Sequence, residues 1–534
     1  MKFIGVGGFF HDFNFSFYQL GHPESLLSSE EERFSRKKMH SCLNQNRTSL
    51  KALYWIMKES NSSFEDISFI IFSDNLEQPV YKFLTEKFPN AKEIRIGHHL
   101  SHVGNVLSMY KIEDADFFCF DGYGDGLSGI SGEIKKKSIV QHKKFTQSNS
   151  LGLLYTSATN HVGLGGFGSE GKLQGLAPYG YYEEEYSLRE LLDVTVDGIF
   201  LDDKLKKHTG WQQQEQYAQL ALSHNEFFSQ LIPKRFPDEK ITKTHKNFAY
   251  TVQLDIQKAI IEFIQLNISS VCNQPIIFSG GLAQNSTIVA NLSNRFSNRR
   301  VITTTSCSDR GNSLGALAVY LQEGFGERIS SSPFLGYDAN KLDLSDLKGL
   351  KKVGVRDLIT YSAQKIKEGE LVATFIGKTE YGARALGNRS ILANPQIKDM
   401  RKYLNSKVKH REMFRPYAPI IPNQLADSLF KLQSDCDFMT KCIEGKNSTK
   451  ELLPSAVHID NTSRIQIARE NTVNETVFSL LNKINEKFDI PGLINTSLND
   501  SGEPIANTIY DVLRSMDRCG IRYLLTEKGL YERV

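Results

Sequence analysis

The chain has little that would mark it as secreted, membrane-spanning or built to hold nucleic acid. Its seven cysteines are odd in number and show no CxxC spacing, which excludes a disulfide framework and a zinc ribbon. A reduced, cytoplasmic setting is therefore expected. No run of about 18 apolar residues is present to cross a bilayer. The apolar start KFIGVGGFF is interrupted by HDFNFS before an export signal is complete. Basic blocks with interleaved aromatics are also missing, and the net charge of +3 is small for 534 residues. Neither nucleic acid nor membrane is expected as a partner, and no low-complexity segment occurs. What remains is ordinary globular composition, with 40% hydrophobic and 23% charged residues. The length exceeds one core, so two to four domains are expected.

KFIGVGGFF and NFSFYQL read as two strands joined by a turn holding His11 and Asp12. DADFFCFDGYGDGLSGISGEI repeats that plan about a hundred residues later, with a strand through Phe117–Phe120 and a Gly/Asp-rich turn. The repetition is equally compatible with a duplicated α/β fold and with two unrelated hairpins. Leu50, Leu53, Ile56 and Met57 fall on one face of a helix in QNRTSLKALYWIMKES. ISFIIFSD reads as a buried strand, and SHVGNVLSMY as a helix carrying His102. Residues 181–270 read as mostly helical. QPIIFSGGLAQNSTIVANL reads as a strand, a double glycine and a helix. RRVITTT is a further strand, leading into a turn and a helix in CSDRGNSLGALAVYLQ. Residues 324–352, rich in Gly, Ser, Asp and Lys, read as a linker. Beyond them LVATFIG, PIIPNQLA and PGLINTS are expected strands of a second unit.

Side chains four apart share a helix face, so His98 and His102 of HHLSH can hold one ion. His99 keeps a helical spacing to His102 and competes for the same role. An acid/base pair and a solvated helix start fit the spacing too. Asp121 in FDGYGDG and Asp309 in CSDRGNSLG lie in glycine-rich turns and complete a mixed N/O set suited to iron, manganese or zinc. Gly280 and Gly281 open a helix after a strand, where backbone N–H groups can approach phosphate or ribose. Tight strand-to-helix packing explains them equally. Glu170 and Lys172 sit in a glycine-rich loop able to order over a ligand. In the second unit Arg384, Arg389, Lys409, Arg411, Arg415, His458 and Arg464 recur in Gly- and Pro-punctuated loops, a pattern that suits a small dianion such as phosphate. Asn495, Thr496, Ser497 and Asn499 are neutral hydrogen-bonders for a carboxamide or ribose, or simply a polar turn.

Taken in order, HDFNFS, EEERFSRKK, HHLSH, DGYGD, EGKLQGLAPYG, GGLAQN, EYGARALGNRSILANP, KHREMFRPYAP and NTSLNDSGEPI resemble the NodU/CmcH family of O-carbamoyltransferases along nearly the whole chain. The resemblance implies an actin-like ATPase domain of the Kae1/TsaD type over 1–335. A YrdC/Sua5-like domain over 350–534 is implied to follow it. It further implies that carbamoyl phosphate is hydrolysed in the second domain and that carbamate passes internally to the first. There ATP converts it to carbamoyladenylate, and the carbamoyl group moves to a hydroxyl of a small-molecule acceptor. By position, His98, His102, Asp121 and Asp309 become ligands of a divalent metal, iron by resemblance, with magnesium also expected beside ATP. His11, with Asp12 beside it, becomes the group accepting the acceptor's proton. Gly122, Gly124, Glu170, Lys172, Gly280, Gly281 and Asn285 fall in nucleotide-binding segments. Arg384, Arg389, Lys409, Arg415, His458, Arg464, Asn495, Thr496 and Ser497 fall at the carbamoyl-phosphate site.

The chain departs from the family in GARALG, where a proline usually stands at Ala383, and at Gln284 and Arg310. None of these removes an expected ligand. A sugar-kinase-like enzyme and a tRNA-modifying enzyme of the Kae1/TsaD type are the alternatives. The first leaves the arginine-rich unit without a role, and the near-neutral charge disfavours the second. Acceptor identity and oligomeric state are not specified by these residues.

Overall fold

The computed structural model describes residues 1–42, 49–75, 79–206, 213–270, 273–342, 348–432 and 435–534. The chain divides into two compact units, one of Met1–Phe72, Gln78–Ile94 and Ser330–Val534, the other of Ser73–Glu77 and Arg95–Ile329.

In the first unit β1 (Lys2–Gly7), β2 (Asn14–Gln19), β3 (His22–Glu30), β4 (Phe69–Phe72) and β5 (Lys92–Arg95) form a sheet in the order 3-2-1-4-5. β1 to β3 are an antiparallel meander, and β4 runs parallel to β1. Phe3, Ile4 and Val6, with Ile70, Ile71 and Phe72, are completely buried. Both faces are covered at the sheet centre, so these strands are continuous apolar runs rather than alternating ones. β5, with the sequence KEIR, is a charged and largely exposed edge. The helix Lys51–Glu59 packs Leu53, Ile56 and Met57 against this sheet. Positions 43–48, at the front of the expected helix, lie outside the described residues.

The second unit repeats the plan. β6 (Ala115–Gly124), β7 (Leu127–Lys135) and β8 (Ser138–Thr146) are an antiparallel meander. β9 (Ile276–Ser279) lies parallel to β6, and β10 (Val301–Ile302) parallel to β9. The order 8-7-6-9-10 matches that of the first sheet, and the two copies make a duplicated actin-like fold. At the β6–β7 turn Asp125 (φ 52°) and Gly126 (φ 79°) both take positive φ, as a type I′ hairpin requires. The helices His98–Met109 and Asn312–Phe325 cross where Gly104 faces Gly315. A Cβ on Gly104 would meet the Gly315 carbonyl, and one on Gly315 the Ser101 carbonyl.

Residues beyond 330 build an eight-stranded mixed sheet, in the order Leu350–Lys352, Gly529–Arg533, Tyr523–Thr526, Val372–Thr374, Ser390–Ala393, Leu493–Ser497, Ala418–Pro422 and Gln466–Ala468. Ile421 and Ile494 enter one apolar cluster, while their neighbours Ile420 and Leu493 enter another. The period of two thus sends successive side chains to opposite faces.

Three expectations need correction. Residues 324–352 are not a plain linker: Phe334–Asp338 pairs with Lys378–Glu380, and Leu350–Lys352 pairs with Gly529–Arg533. Leu350–Lys352 is short and polar, Phe334–Asp338 is short and interrupted by glycine, and only their distant partners make them strands; positions 343–347 lie outside the described residues. PIIPNQLA is a strand only to Pro422, after which Asn423–Leu429 is helical. Of RRVITTT only Val301–Ile302 is strand. No described helix is long and apolar enough to cross a membrane.

Candidate functional site

The second unit carries a buried four-donor cluster. His98 and His102 come from successive turns of one helix, Asp121 from the end of β6, and Asp309 from the turn before the helix Asn312–Phe325. One ligand atom from each lies within 4.8 Å of all the others. His98 Nε2 stands 3.1 Å from Asp121 Oδ2 and 3.4 Å from Asp309 Oδ1. His102 Nε2 stands 3.3 and 3.4 Å from the same oxygens and 3.1 Å from His98 Nε2. Metal–ligand arms of about 2.1 Å place neighbouring ligands about 3.0 Å apart in an octahedron and about 3.4 Å in a tetrahedron. The residues present therefore fit a metal ion.

The electrostatics agree. Burial opposes a charged His98, but Asp309 and Asp121 outweigh it and hold its pKa well above the usual histidine range. Burial likewise opposes an ionised Asp121, yet hydrogen bonds with His102 and His98 keep it far below the ordinary carboxylate value. This pocket favours positive charge. His99, equally eligible by spacing, lies outside the four-donor group. Burial and the neighbouring His98 drive its pKa down to about 3.

Asp125 was not among the expected site residues. Its carboxylate accepts from the backbone N–H of His98 at 2.7 Å and of Asn75 at 2.9 Å. It holds the N-terminus of the histidine helix, where negative charge is favoured. Its place in DGYGD, four positions after Asp121 and directly after a glycine, was the available signal. Gly124 leaves space that the His98 ring fills, and a Cβ there would collide with the imidazole. Gly122 meets no such crowding.

Gly280 (φ 85°) sits against the Phe120 carbonyl, and the Gly281 N–H donates to Asp121 Oδ1 at 2.8 Å. The double glycine therefore orients a cluster carboxylate. Asn285 caps the helix Ser286–Arg295 through Ile288 N–H and donates to Gln253 Oε1 at 2.8 Å. Glu170 accepts from Thr156 Oγ1 at 2.7 Å, and Lys172, two residues on, is half-buried.

In the first unit His11 Nδ1 lies 3.1 Å from Asp12 Oδ2. With Nδ1–H donated to that carboxylate, Nε2 is left as the basic nitrogen. The imidazole is partly exposed, with 22% of its side chain accessible, whereas Asp12 is buried.

The basic residues beyond 380 separate into two groups. Arg389 is fully buried and donates to the carbonyls of Ile376, Tyr337 and Gly377, with its guanidinium 4.4 Å over the Phe375 ring. Lys409 Nζ donates to Asn499 Oδ1 at 2.8 Å and to the carbonyls of Asn499 and Ser497. Burial, with Arg411 and Arg415 adding to it, lowers its pKa to about 7. Arg411 donates to Asn405 Oδ1 and stacks on Tyr417. These cations brace loops. Arg415 is different: its carboxylate neighbour Glu412 stands 3.9 Å away, and burial and Arg411 push its pKa to about 10. Arg464 Nε is buried without a hydrogen-bond partner, and burial lowers the guanidinium's pKa. Desolvated cations with few internal acceptors suit an anion. Asn495 donates to Gln466 Oε1 at 2.8 Å, and its Oδ1 is buried and unpartnered. Ser497 Oγ donates to Asn499 Oδ1, and Thr496 lies beside it on the same strand. Arg384 is half-buried in the 382–389 loop, and His458 is buried 3.6 Å from Asp460.

Five side chains of the motif EEERFSRKK, those of Glu30, Glu31, Glu32, Arg33 and Arg36, bond to the protein itself. Glu31 accepts from Lys51 N–H and Ala52 N–H, capping the helix Lys51–Glu59. Glu32 accepts from Met39 N–H. Arg33 pairs with Glu30 and donates to the Gly382 carbonyl at 2.6 Å, while Gly382 N–H donates to Glu30 at 2.8 Å. Arg36 donates to the carbonyls of Ile505 and Pro504.

A family model described as Carbamoyltransferase N-terminus matches residues 80–318, and one described as Carbamoyltransferase C-terminus matches 363–533. The chain is 27% identical to the uncharacterized protein sll1178 of Synechocystis sp., across 98% of this chain and 95% of that one. It is 29% identical to nodulation protein NolO of Bradyrhizobium diazoefficiens, across 78% of this chain and 75% of that protein. Its likeness to T. kodakarensis HypF has a TM-score of 0.33 at 12% identity, covering 60% of this chain and 48% of that one.

Proposed function

The chain belongs to the carbamoyltransferase family, and from that premise we propose that it is an ATP-dependent O-carbamoyltransferase acting on a hydroxyl of a small natural-product or sugar acceptor. Residues 350–534 bind carbamoyl phosphate and residues 1–335 carry out ATP-dependent transfer. Arg415 and Arg464 grip the phosphate, with Arg384 and His458 beside them. Asn495, Thr496 and Ser497 face the carbamoyl group. Lys409 and Arg389 hold the surrounding loops by their carbonyl contacts. Water cleaves carbamoyl phosphate to carbamate and phosphate. Carbamate and ATP then give carbamoyladenylate and pyrophosphate, and the acceptor hydroxyl displaces AMP. His11 Nε2 takes the hydroxyl proton, with Asp12 fixing the tautomer. Glu170, Lys172 and the glycines at 122, 124, 280 and 281 lie along the nucleotide. A divalent ion, iron by family, held by His98, His102, Asp121 and Asp309, would supply positive charge against the triphosphate.

The observation that supports this reading most strongly is the buried four-donor cluster within the N-terminal family match. Incubation with carbamoyl phosphate, ATP and a pool of hydroxylated metabolites tests it. A product heavier by one carbamoyl group is expected, dependent on both co-substrates. A phosphorylated acceptor formed without carbamoyl phosphate would instead mark a small-molecule kinase.

A further inference from the structure

The turn that carries His11 is held in an unfavourable backbone conformation. Asp12 has φ 58°, which costs a non-glycine residue on the order of 1–3 kcal/mol and persists only where surrounding contacts impose it. One such contact is Asn14 Nδ2, which donates to the Asp12 carbonyl at 2.7 Å. Gly8 makes room for it, since a Cβ there would strike both the Asp12 carbonyl and Asn14 Nδ2. A carboxamide can be turned end for end, and the Asp12 carbonyl, which only accepts, selects the Nδ2 end. The Oδ1 left at the other end accepts from the Tyr381 hydroxyl at 3.1 Å, which ties the carboxamide at both ends. Asn14 is completely buried and Tyr381 is 2% exposed, so water cannot take over either contact.

Tyr381 is itself anchored. Its neighbour Gly382 is bonded at both backbone groups by the Glu30–Arg33 pair. Glu380, on the other side, accepts from the N–H groups of Leu386, Asn388 and Arg389. A rigid segment some 370 positions away in sequence therefore presents one phenol to the His11 turn.

We infer that the Tyr381 hydroxyl, acting through the Asn14 carboxamide, positions the His11–Asp12 pair for removal of the acceptor's proton, an inference that rests on the transfer role proposed for His11. Tyr381 is a positioning residue: it touches neither carbamoyl phosphate nor the acceptor.

Tyr381→Phe in the full chain removes only the hydroxyl. Phosphate release from carbamoyl phosphate is expected to stay within twofold of the parent. Carbamoylated product per phosphate released is expected to fall at least tenfold, and the pH profile of transfer to change shape. Asn14→Asp, which replaces the Nδ2 donor by an oxygen facing the Asp12 carbonyl, is expected to reproduce that uncoupling with Tyr381 intact. An unchanged product-to-phosphate ratio in either folded variant overturns the inference. So does a parallel fall of both rates with a lowered melting temperature, which marks a merely structural contact. If the parent itself releases no phosphate from carbamoyl phosphate, the proposed function fails, a result distinct from failure of the inference.

Discussion

Individual cations in the second half of the chain differ more in their partners than in their chemistry. Arg464 has a buried Nε with no partner, whereas Lys409 spends its ammonium on oxygens at 497 and 499. Arg464→Ala should therefore cut phosphate release from carbamoyl phosphate roughly a hundredfold or more, the scale seen when a preorganised charge donor is lost. Its melting temperature should stay near that of the parent, because no internal bond is broken; both are read by a phosphate assay beside thermal unfolding. Lys409 makes a different prediction. The unfolded chain keeps that proton to about 10.5, the folded one only to about 7, so unfolding takes up a proton between those values. Stability contributed at this site should rise with pH across that window, by up to about 1.4 kcal/mol per pH unit. Denaturant unfolding of the parent and of Lys409→Met from pH 7 to 9 should show the slope in the first and its loss in the second.

At the scale of elements, the four-donor cluster depends on two helices meeting without side chains between them. Gly→Ala inside a helix ordinarily stabilises by about 0.5–1 kcal/mol. Gly315→Ala should do the reverse, because its methyl would enter the Ser101 carbonyl and push the Asp309 turn from the histidine helix. Metal content of the purified variant should drop with melting temperature, as mass spectrometry for metals would report. Much of this arrangement was legible beforehand. The His98/His102 spacing and the glycine-flanked Asp121 and Asp309 suggested a metal set, and the paired hairpins suggested a repeated sheet. Residues whose roles depend on distant partners were not legible. Asn285 reads as a nucleotide contact, and its capping of the helix Ser286–Arg295 shows only once that helix is placed. Residues 334–338 read as linker until Lys378–Glu380 lies beside them. Lys409 reads as a phosphate binder, and its further bonds to the carbonyls of 497 and 499 show only in the fold.

For the whole molecule, the Glu30–Arg33 pair joins the first sheet to the residues beyond 330 within one compact unit. Arg33→Met should lower unfolding free energy by about 3–5 kcal/mol, since it strands a buried glutamate without its partner. Chemical denaturation would measure this, and Arg33→Lys should rescue little, because a single ammonium cannot bond Glu30 and the Gly382 carbonyl in the guanidinium's geometry. That pair also has a consequence for synthesis. On the ribosome, residues 1–94 emerge before the segments they bond are made, since Gly382 lies 288 positions beyond residue 94 and Pro504 lies 410 beyond it. At roughly 5–20 residues per second, the wait is on the order of 15–60 s for Gly382 and 20–80 s for Pro504. For that interval Glu30, Arg33 and Arg36 stand without their carbonyl and N–H partners, so folding yield should respond to translation speed and to chaperones that shield the nascent N-terminal sheet.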